Sequence, residues 1–375
     1  MADDEAPWQL DEPLRPPPEV TRDVFLAWQQ VRPGRDNPER MTNPVWAWLA
    51  RQPEVSAYLA NRHFGVERGD RPGWTNQRFG QSTTALPDGR TIAVAGEHED
   101  YYDPDFNIYN DVIVTAPDGG VEIYGYPRAV FPATDFHSAT LVGDHLYLVG
   151  NLGYRDARQD RTQVLRLDLG TLAIERLEAG GESPGWISRH EARLDDGDRI
   201  TVTGGRCEVE LDGGRTLRDS VDDHVLDLRS LTWTRTTDRR WTQYAIERSD
   251  EGFGRLWDIG QLADYVDRDD AWSQQQAASY RERIGYEPDL AAWRSRYQPP
   301  VAHQPLPADR EAWRVHRIAV DGVTVRYVDS GRGVQVVIEG PLPAATVGTL
   351  IDDLRAKLSR ADRGPYAARC LDDPR

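Results

Sequence analysis

Three short apolar stretches that each end in glycine decide the fold: ThrIleAlaValAlaGly96 (91–96), LeuTyrLeuValGly150 (146–150) and IleThrValThrGly204 (200–204). Their glycines, at 96, 150 and 204, are spaced at equal intervals, and the residues around each follow the same order. Apolar and β-branched runs that end in glycine are typical of strands. Recurrence at a fixed period predicts one structural unit repeated three times between about residues 78 and 241.

Each copy of this unit contains four predicted strands. The first strand is followed by a tight turn, AspGly at 88–89, GlyAsp at 143–144 and AspGly at 196–197. Such dipeptides favour a hairpin with the second strand, which ends at the repeat glycine. The third strands end at Val114, Leu167 and Leu228, and the fourth strands end at Tyr124, Leu177 and Arg235. Four short antiparallel strands at this period are typical of one blade of a β-propeller.

Short motifs recur at matching places in the copies. They are PheHisSerAla at 136–139 and ArgHisGluAla at 189–192 in the first strand, Gly204-Gly205 after the second, AsnAspVal at 110–112 opening the third, and Trp233 in the fourth. Over residues 78–241 these motifs resemble kelch repeats. The chain resembles bacterial kelch-motif proteins, whose β-propeller is like the central domain of galactose oxidase. The resemblance implies a fold and no particular chemistry. In the first copy, Ser82 aligns with the histidines of the other two.

The repeats cover less than half of the chain, so further segments are expected around them. We predict a mainly β fold with helical flanks: an incomplete kelch-type β-propeller of three to four blades, N-terminal helices and a small C-terminal βββα unit. A hairpin of residues 242–248 and 255–259 would form a partial fourth blade. The predicted segments are an acidic, proline-rich arm (1–18), a helical segment (19–72), the kelch-like blades (73–260), a helical segment with a proline-rich linker (261–308) and a small α/β domain (309–375).

Cap residues mark several of the flanking helices. Asn-Pro at 43–44 and Pro-Glu at 53–54 predict two helix starts, because asparagine caps free amides and proline suits the first turn. Gly285 predicts the end of a helix that begins at Asp270. Helical periodicity also covers 19–31, 288–297 and 343–360.

Composition narrows the class of partner. The chain has 45 Lys and Arg against 62 Asp and Glu, a formal net charge of −17 at pH 7. This charge disfavours nucleic acid and anionic membranes as partners. The acidic start lacks the regions of a signal peptide, no apolar run could span a bilayer, and two cysteines are too few for a disulfide scaffold. We expect a cytoplasmic protein whose partner is another protein, a second copy of itself included.

The loop after the first repeat glycine, 96–111, is the most irregular part of the repeats. Its oxygen-bearing side chains have the spacing that hard cations such as Ca²⁺ use; they are Asp103, Asp105, Asn107 and Asp111. The loop lacks a glycine at position 108 and a closing glutamate, so an acidic solvated loop with Asx turns is the alternative. The sequence therefore offers a candidate Ca²⁺ site, and no other cofactor is predicted.

A candidate binding surface lies on the loops and strand ends of the repeats. It comprises Glu97, His98, Tyr101, Asp135, His137, Trp186, His190 and Arg206. His137 and His190 occupy equivalent positions in successive copies, so the repeat would place them similarly. With neighbouring acids they could bind a transition metal. The favoured alternative is structural, with each histidine bonding a turn or packing between blades.

The chain contains no phosphate-binding glycine loop, nucleophile elbow or zinc-protease motif. We therefore expect a non-catalytic protein-interaction or scaffolding protein of the kelch type, and assign no catalytic residue. The alternative is an enzyme or binder that acts on a small molecule or carbohydrate, with or without a metal, at the propeller loops. Convergence of the histidines with Glu97 and Arg206 in one polar pocket would favour that alternative.

Overall fold

The computed structural model describes residues 14–67, 71–98, 105–195, 198–211, 214–250, 252, 254–307, 315–330 and 333–372. The chain forms two compact units, Met1–Glu208 with Asp219–Thr237, and Val209–Arg218 with Asp238–Arg375. Across these described ranges the protein is mainly β, with several antiparallel sheets and seven helices. None of the described helices has the length and apolar character needed to cross a membrane.

Three short helices and a two-residue strand open the first unit: α1 (Arg22–Trp28), β1 (Glu39–Arg40), α2 (Pro44–Leu49) and α3 (Ala57–His63). The Asn43 side chain accepts hydrogen bonds from the amides of Val45 and Trp46, which confirms the predicted cap. Helix α3 begins later than Pro53 suggests, because Ser56 accepts a hydrogen bond from the Leu59 amide and caps it there.

The three repeats supply eighteen strands of the described chain. The first repeat has β2 (Ser82–Ala85), β3 (Thr91–Val94), β4 (Glu97–His98), β5 (Asn107–Ile108), β6 (Asp111–Thr115) and β7 (Val121–Gly125). The second has β8 (Ser138–Val142), β9 (His145–Val149), β10 (Val164–Asp168) and β11 (Ile174–Arg176). The third has β12 (Gly180–Gly181), β13 (Ile187–Ser188), β14 (Glu191–Asp195), β15 (Arg199–Thr203), β16 (Arg206–Leu211), β17 (Gly214–Asp219), β18 (His224–Asp227) and β19 (Thr232–Arg235).

Each repeat forms a four-stranded antiparallel sheet in chain order: β2-β3-β6-β7, β8-β9-β10-β11 and β14-β15-β18-β19. The predicted strand order is thus confirmed in all three copies. Strand β1 extends the first sheet beside β7, and β12 runs parallel to β19 in the third. Two smaller sheets, β4-β5 and β13-β16-β17, lie outside these meanders.

The sheets of the first unit pack through apolar side chains that alternate along the strands. In the first sheet, Val112 and Val114 belong to the core shared with the second sheet, whereas Ile113 packs with the N-terminal helices and their tryptophans. In the third sheet, Ile200 and Val202 join a core with strands of the second. The first sheet is therefore covered on one face by a sheet and on the other by helices.

The second unit contains β20 (Thr242–Arg248), α4 (Leu256–Tyr265), α5 (Ala271–Ile284), α6 (Leu290–Arg294), β21 (Gln304–Pro305), β22 (Val315–Val320), β23 (Val323–Asp329), β24 (Gly333–Ile338), α7 (Ala344–Ala361) and β25 (Tyr366–Cys370). Asp270 caps α5, and Gly285 ends it with a φ of 76°, as predicted. The expected strands β22 to β24 and helix α7 are present. They form part of a larger six-stranded sheet, ordered β21-β22-β23-β24-β20-β25.

The hairpin expected from residues 242–259 is wrong. Strand β20 pairs with β24 on one side and β25 on the other, and residues 256–259 begin helix α4. The physical reason is burial, because every residue of β24 is buried and such a central strand needs a partner on both edges. Strand β20 supplies the second partner, so it is not part of a further repeat.

Candidate functional site

The residues that precede the first strands of the repeats form one hydrogen-bonded line. The amide of Phe136 donates to the carbonyl of Gly80 (2.8 Å), and the amide of Arg189 donates to the carbonyl of Phe136 (2.8 Å). All three residues have a left-handed backbone, with φ values of 62°, 48° and 57° in chain order. This conformation is ordinary for glycine but unfavourable by about 1–2 kcal/mol for Phe136 and Arg189. Such outliers concentrate at functional positions.

Four side chains lie at this line, and we call them the entry patch: Phe79 and Arg189 are exposed, and Glu97 and Phe136 are half-buried. Phe79 is 63% exposed, the largest exposure among the exposed large apolar side chains of the described residues. The guanidinium of Arg189 lies over the Phe136 ring, 3.3 Å from its centre. Phe79 and Glu97 exchange two backbone hydrogen bonds, of 2.8 and 2.9 Å. The patch thus combines exposed aromatic area with a stacked cation.

Glu97 of the entry patch and the buried Asp135 form a pair of carboxyl groups. Asp135 is completely buried, and its Oδ1 accepts a hydrogen bond from the Gly153 amide (2.6 Å). Glu97, from β4, is half-buried and lies within hydrogen-bonding distance of Asp135. Burial raises the pKa of the Asp135 carboxyl above its ordinary value, an effect that the hydrogen bonds with the Gly153 amide and with Glu97, and the nearby arginines, reduce.

Two guanidinium groups act on this acid pair. Arg189 and Arg158 both interact electrostatically with Asp135. Arg158 also has other partners: it forms an ion pair with Glu208 (2.9 Å) and donates a hydrogen bond to the carbonyl of Leu152. This ion pair is shielded from water, because only 12% of the Arg158 side chain and 6% of the Glu208 side chain are exposed. The site is therefore a compact cluster of acids and arginines.

The same residues hold the loop at 151–158. Asp135 bonds the Gly153 amide, and the Trp186 indole donates to the Leu152 carbonyl (3.0 Å). Tyr154 reaches the first repeat, where its hydroxyl accepts from the Ile108 amide. Trp186 is buried, so it supports this loop rather than forming part of the exposed patch.

The two repeat histidines connect neighbouring sheets. His137 Nε2 lies 2.8 Å from Ser82 Oγ of the first sheet, and His190 Nε2 lies 2.9 Å from Ser138 Oγ of the second. Burial lowers the pKa of His137 to about 3 and that of His190 to about 4, so both rings are neutral at pH 7. The geometry agrees with the structural alternative for these histidines.

The alignment of Ser82 with these histidines is wrong by one residue. Ser82 pairs with Val94 across its hairpin as Ser138 pairs with Val149, so the two serines are equivalent. Gln81 therefore stands where the later repeats have histidine. The Ser82 hydroxyl is the group that hydrogen-bonds His137, the histidine of the second repeat.

The remaining candidates do not gather around the histidines. His98 is buried and hydrogen-bonds the Tyr109 hydroxyl through Nδ1. Arg206 lies 3.8 Å from Asp219 and acts electrostatically on Arg189. Of the predicted surface, Glu97 and Asp135 come together, and Arg206 acts on the neighbouring Arg189. Tyr101 lies outside the described residues.

The candidate Ca²⁺ site is described only in part, because Asp103 lies outside the described residues. Asp105 and Asn107 are buried. The Asp111 carboxylate accepts hydrogen bonds from both terminal nitrogens of Arg78 and from the Trp74 indole. In the described ranges, no group of three or more His, Cys, Asp or Glu side chains could hold a metal ion. Calcium binding stays a prediction.

Four residues of the site were not predicted from the sequence: Phe79, Phe136, Arg158 and Arg189. A usable signal was present, because Gly80, Phe136 and Arg189 each precede the Gln or His of their repeat. A glycine in one copy indicates that the position needs a left-handed backbone in all copies. The stacking of Arg189 on Phe136 has no such signal, since it joins two repeats.

Comparisons with known proteins do not assign this chain. No protein-family model matches it, and a search of curated proteins found no match. Among solved structures, that of YjhT superposes on 52% of this chain and 68% of its own, with a TM-score of 0.31 and 13% sequence identity. A likeness of this size defines neither fold nor function for this chain.

Proposed function

We propose that the first unit is an incomplete kelch-type propeller of three blades that acts as a non-catalytic protein-interaction module, with the entry patch as its contact surface. The repeated four-stranded meander and the Ser–His links between sheets support the kelch interpretation. The observation that supports an interaction function is the stacking of Arg189 on Phe136. Both residues have a left-handed backbone, and the exposed Phe79 belongs to the same patch.

The chemistry of the patch suits a protein partner. Aromatic side chains and arginine are the residues that dominate binding energy at protein interfaces. The stacked guanidinium keeps its charge while its flat face is already packed, so little side-chain freedom remains to be lost on binding. We expect neither nucleic acid nor a membrane as the partner, because the net charge of −17 opposes both.

The test compares tagged variants in quantitative affinity purification from the native host. Phe79→Ser with Arg189→Gln should reduce capture of a specific protein about tenfold or more, a loss of about 1.4 kcal/mol. The matched control is Trp28→Ser, which changes another exposed aromatic residue of the same unit, on α1. Equal capture by wild type and both variants would place the contact surface elsewhere.

The buried acid pair favours a second candidate, an enzyme or binder of a small molecule or carbohydrate. Carboxyl groups beside arginines can bond the hydroxyl and carboxylate groups of such ligands. A melting-temperature screen with neutral sugars and small carboxylic acids separates the two proposals. Stabilisation that Glu97→Gln abolishes would favour the small-molecule site; a dimer found by light scattering, and lost in Phe79→Ser, would identify a second copy as the partner.

A further inference from the structure

The environment of Asp135 is incomplete without a proton. Its Oδ2 is fully shielded from water and receives no hydrogen bond, although the side chain is entirely buried. The carboxyl group within hydrogen-bonding distance is that of Glu97. An ionised carboxylate can only accept hydrogen bonds, so two ionised groups at this distance would repel and leave a buried oxygen unsatisfied. A single proton between them removes both costs.

We infer that Glu97 and Asp135 share one proton at neutral pH and that this proton keeps the entry patch in its observed arrangement. The pair is then one acid that titrates as a unit, rather than two independent side chains. The second half of this inference rests on the proposed function of the entry patch, whereas the proton sharing stands independently of it.

Two guanidinium groups and a third carboxyl group lie close to the pair. Arg158 and Arg189 both act on Asp135, and Arg158 forms an ion pair with Glu208.

Other charged and titratable groups also face the cluster. Arg206 acts on Arg189 and lies 3.8 Å from Asp219. Tyr154 interacts with both acids and with Arg128; burial raises the pKa of its hydroxyl, which is therefore neutral at pH 7. Burial likewise raises the pKa of Asp135, in the direction that proton retention requires.

The backbone connects this proton to the entry patch. Glu97 exchanges two hydrogen bonds with Phe79, so a displacement of Glu97 acts directly on the exposed aromatic ring. Phe136, which carries the Arg189 guanidinium, follows Asp135 in the chain. Loss of the proton would separate the carboxylates and move the two halves of the patch apart. The patch should therefore bind more weakly at alkaline pH.

The first test is the pH dependence of stability in urea. The folded state keeps the shared proton above about pH 4, where an ordinary acidic side chain has lost its proton. The stabilisation by this proton is therefore complete below about pH 4 and is lost as the pH rises through the pKa of the folded pair. Within this window the folded-to-unfolded ratio of wild type should fall about tenfold per pH unit relative to Glu97→Gln, which keeps a hydrogen-bond donor for Asp135. The control is Glu178→Gln, a side chain that is 73% exposed.

The second test is infrared spectroscopy of the folded protein at neutral pH. Wild type and Glu178→Gln should show the carbonyl band of a protonated carboxylic acid, and both Glu97→Gln and Asp135→Asn should lose it. Parallel stability curves for wild type and Glu97→Gln, together with no such band, would overturn the proton sharing. A band without any pH effect on partner capture would overturn only the effect on the patch; absence of a partner would count against the proposed function and leave the first test intact.

Discussion

Arg78 and Asp111 form a two-point ion pair inside the first unit, with the arginine side chain completely shielded from water. The guanidinium also lies over the Tyr109 ring, 3.5 Å from its centre, and the Trp74 indole donates to the same carboxylate. The pair therefore ties strand β6, which carries Asp111, to the segment before β2. A buried cation with these partners is stable only as long as the carboxylate remains.

Removal of the Asp111 charge should destabilise the protein strongly. Asp111→Asn leaves the Arg78 cation buried and unbalanced, so we expect a loss of about 3–5 kcal/mol in the free energy of unfolding in urea. Glu175→Gln, in an exposed ion pair with Arg166, should have little effect. The loss should be the same with and without added Ca²⁺, whereas a loss seen only with Ca²⁺ would identify Asp111 as a calcium ligand.

The repeat histidines should make the protein acid-sensitive. Their pKa values in the folded state, about 3 for His137 and about 4 for His190, lie below the ordinary value of about 6.5. Only the unfolded chain takes up these protons, so the contribution of the histidines to stability is complete above about pH 6.5 and falls as the pH drops towards about 4. For each histidine, the folding constant should fall about tenfold per pH unit within this window. His190→Gln, which introduces the residue type that Gln81 provides in the first repeat, should flatten this fall; an unchanged slope would contradict the neutral buried ring.

Gly150 should tolerate alanine much less well than Gly143. Both have a left-handed backbone, with φ values of 77° and 57°, so each substitution costs about 1 kcal/mol or more in backbone strain. A Cβ at Gly150 would also lie 2.5 Å from the backbone oxygen of Ile187 and 2.6 Å from Cε1 of His190, whereas nothing lies within 4 Å of one at Gly143. We expect a further loss of about 1–3 kcal/mol for Gly150→Ala, measured by urea unfolding. Equal losses would show that both the Ile187 backbone and the His190 ring move aside freely.

Asp362 should be essential to the second unit. It is buried just after α7, and its carboxylate accepts hydrogen bonds from Arg248 and from the hydroxyls of Tyr286 and Tyr366. Asp362→Asn should cost about 3–5 kcal/mol and accelerate hydrogen exchange in strands β20 and β25. Asp352→Asn, which changes an exposed acid on α7 itself, is the control and should leave exchange in these strands unchanged.

Local sequence patterns predicted much of the fold where neighbouring residues decide the structure. The hairpin turns at 88–89 and 143–144 and the cap at Asn43 need only a few adjacent residues, and the structure has them all. The strand expected at 255–259 was wrong because five residues do not distinguish a strand from the first turn of a helix. The chain continues helically to Tyr265, and that continuation decides the structure.

The sequence by itself determined the three-fold repeat, the four strands of each copy and the helix caps at Asn43, Asp270 and Gly285, because these follow from short-range periodicity and turn chemistry. Tertiary structure alone decided which strand completes the sheet around β24, and that Glu97 meets Asp135 within electrostatic reach of Arg189. These contacts join residues far apart in the chain, and their formation depends on burial and charge balance across packed sheets. No local sequence pattern encodes these long-range contacts, and the candidate site is built from them.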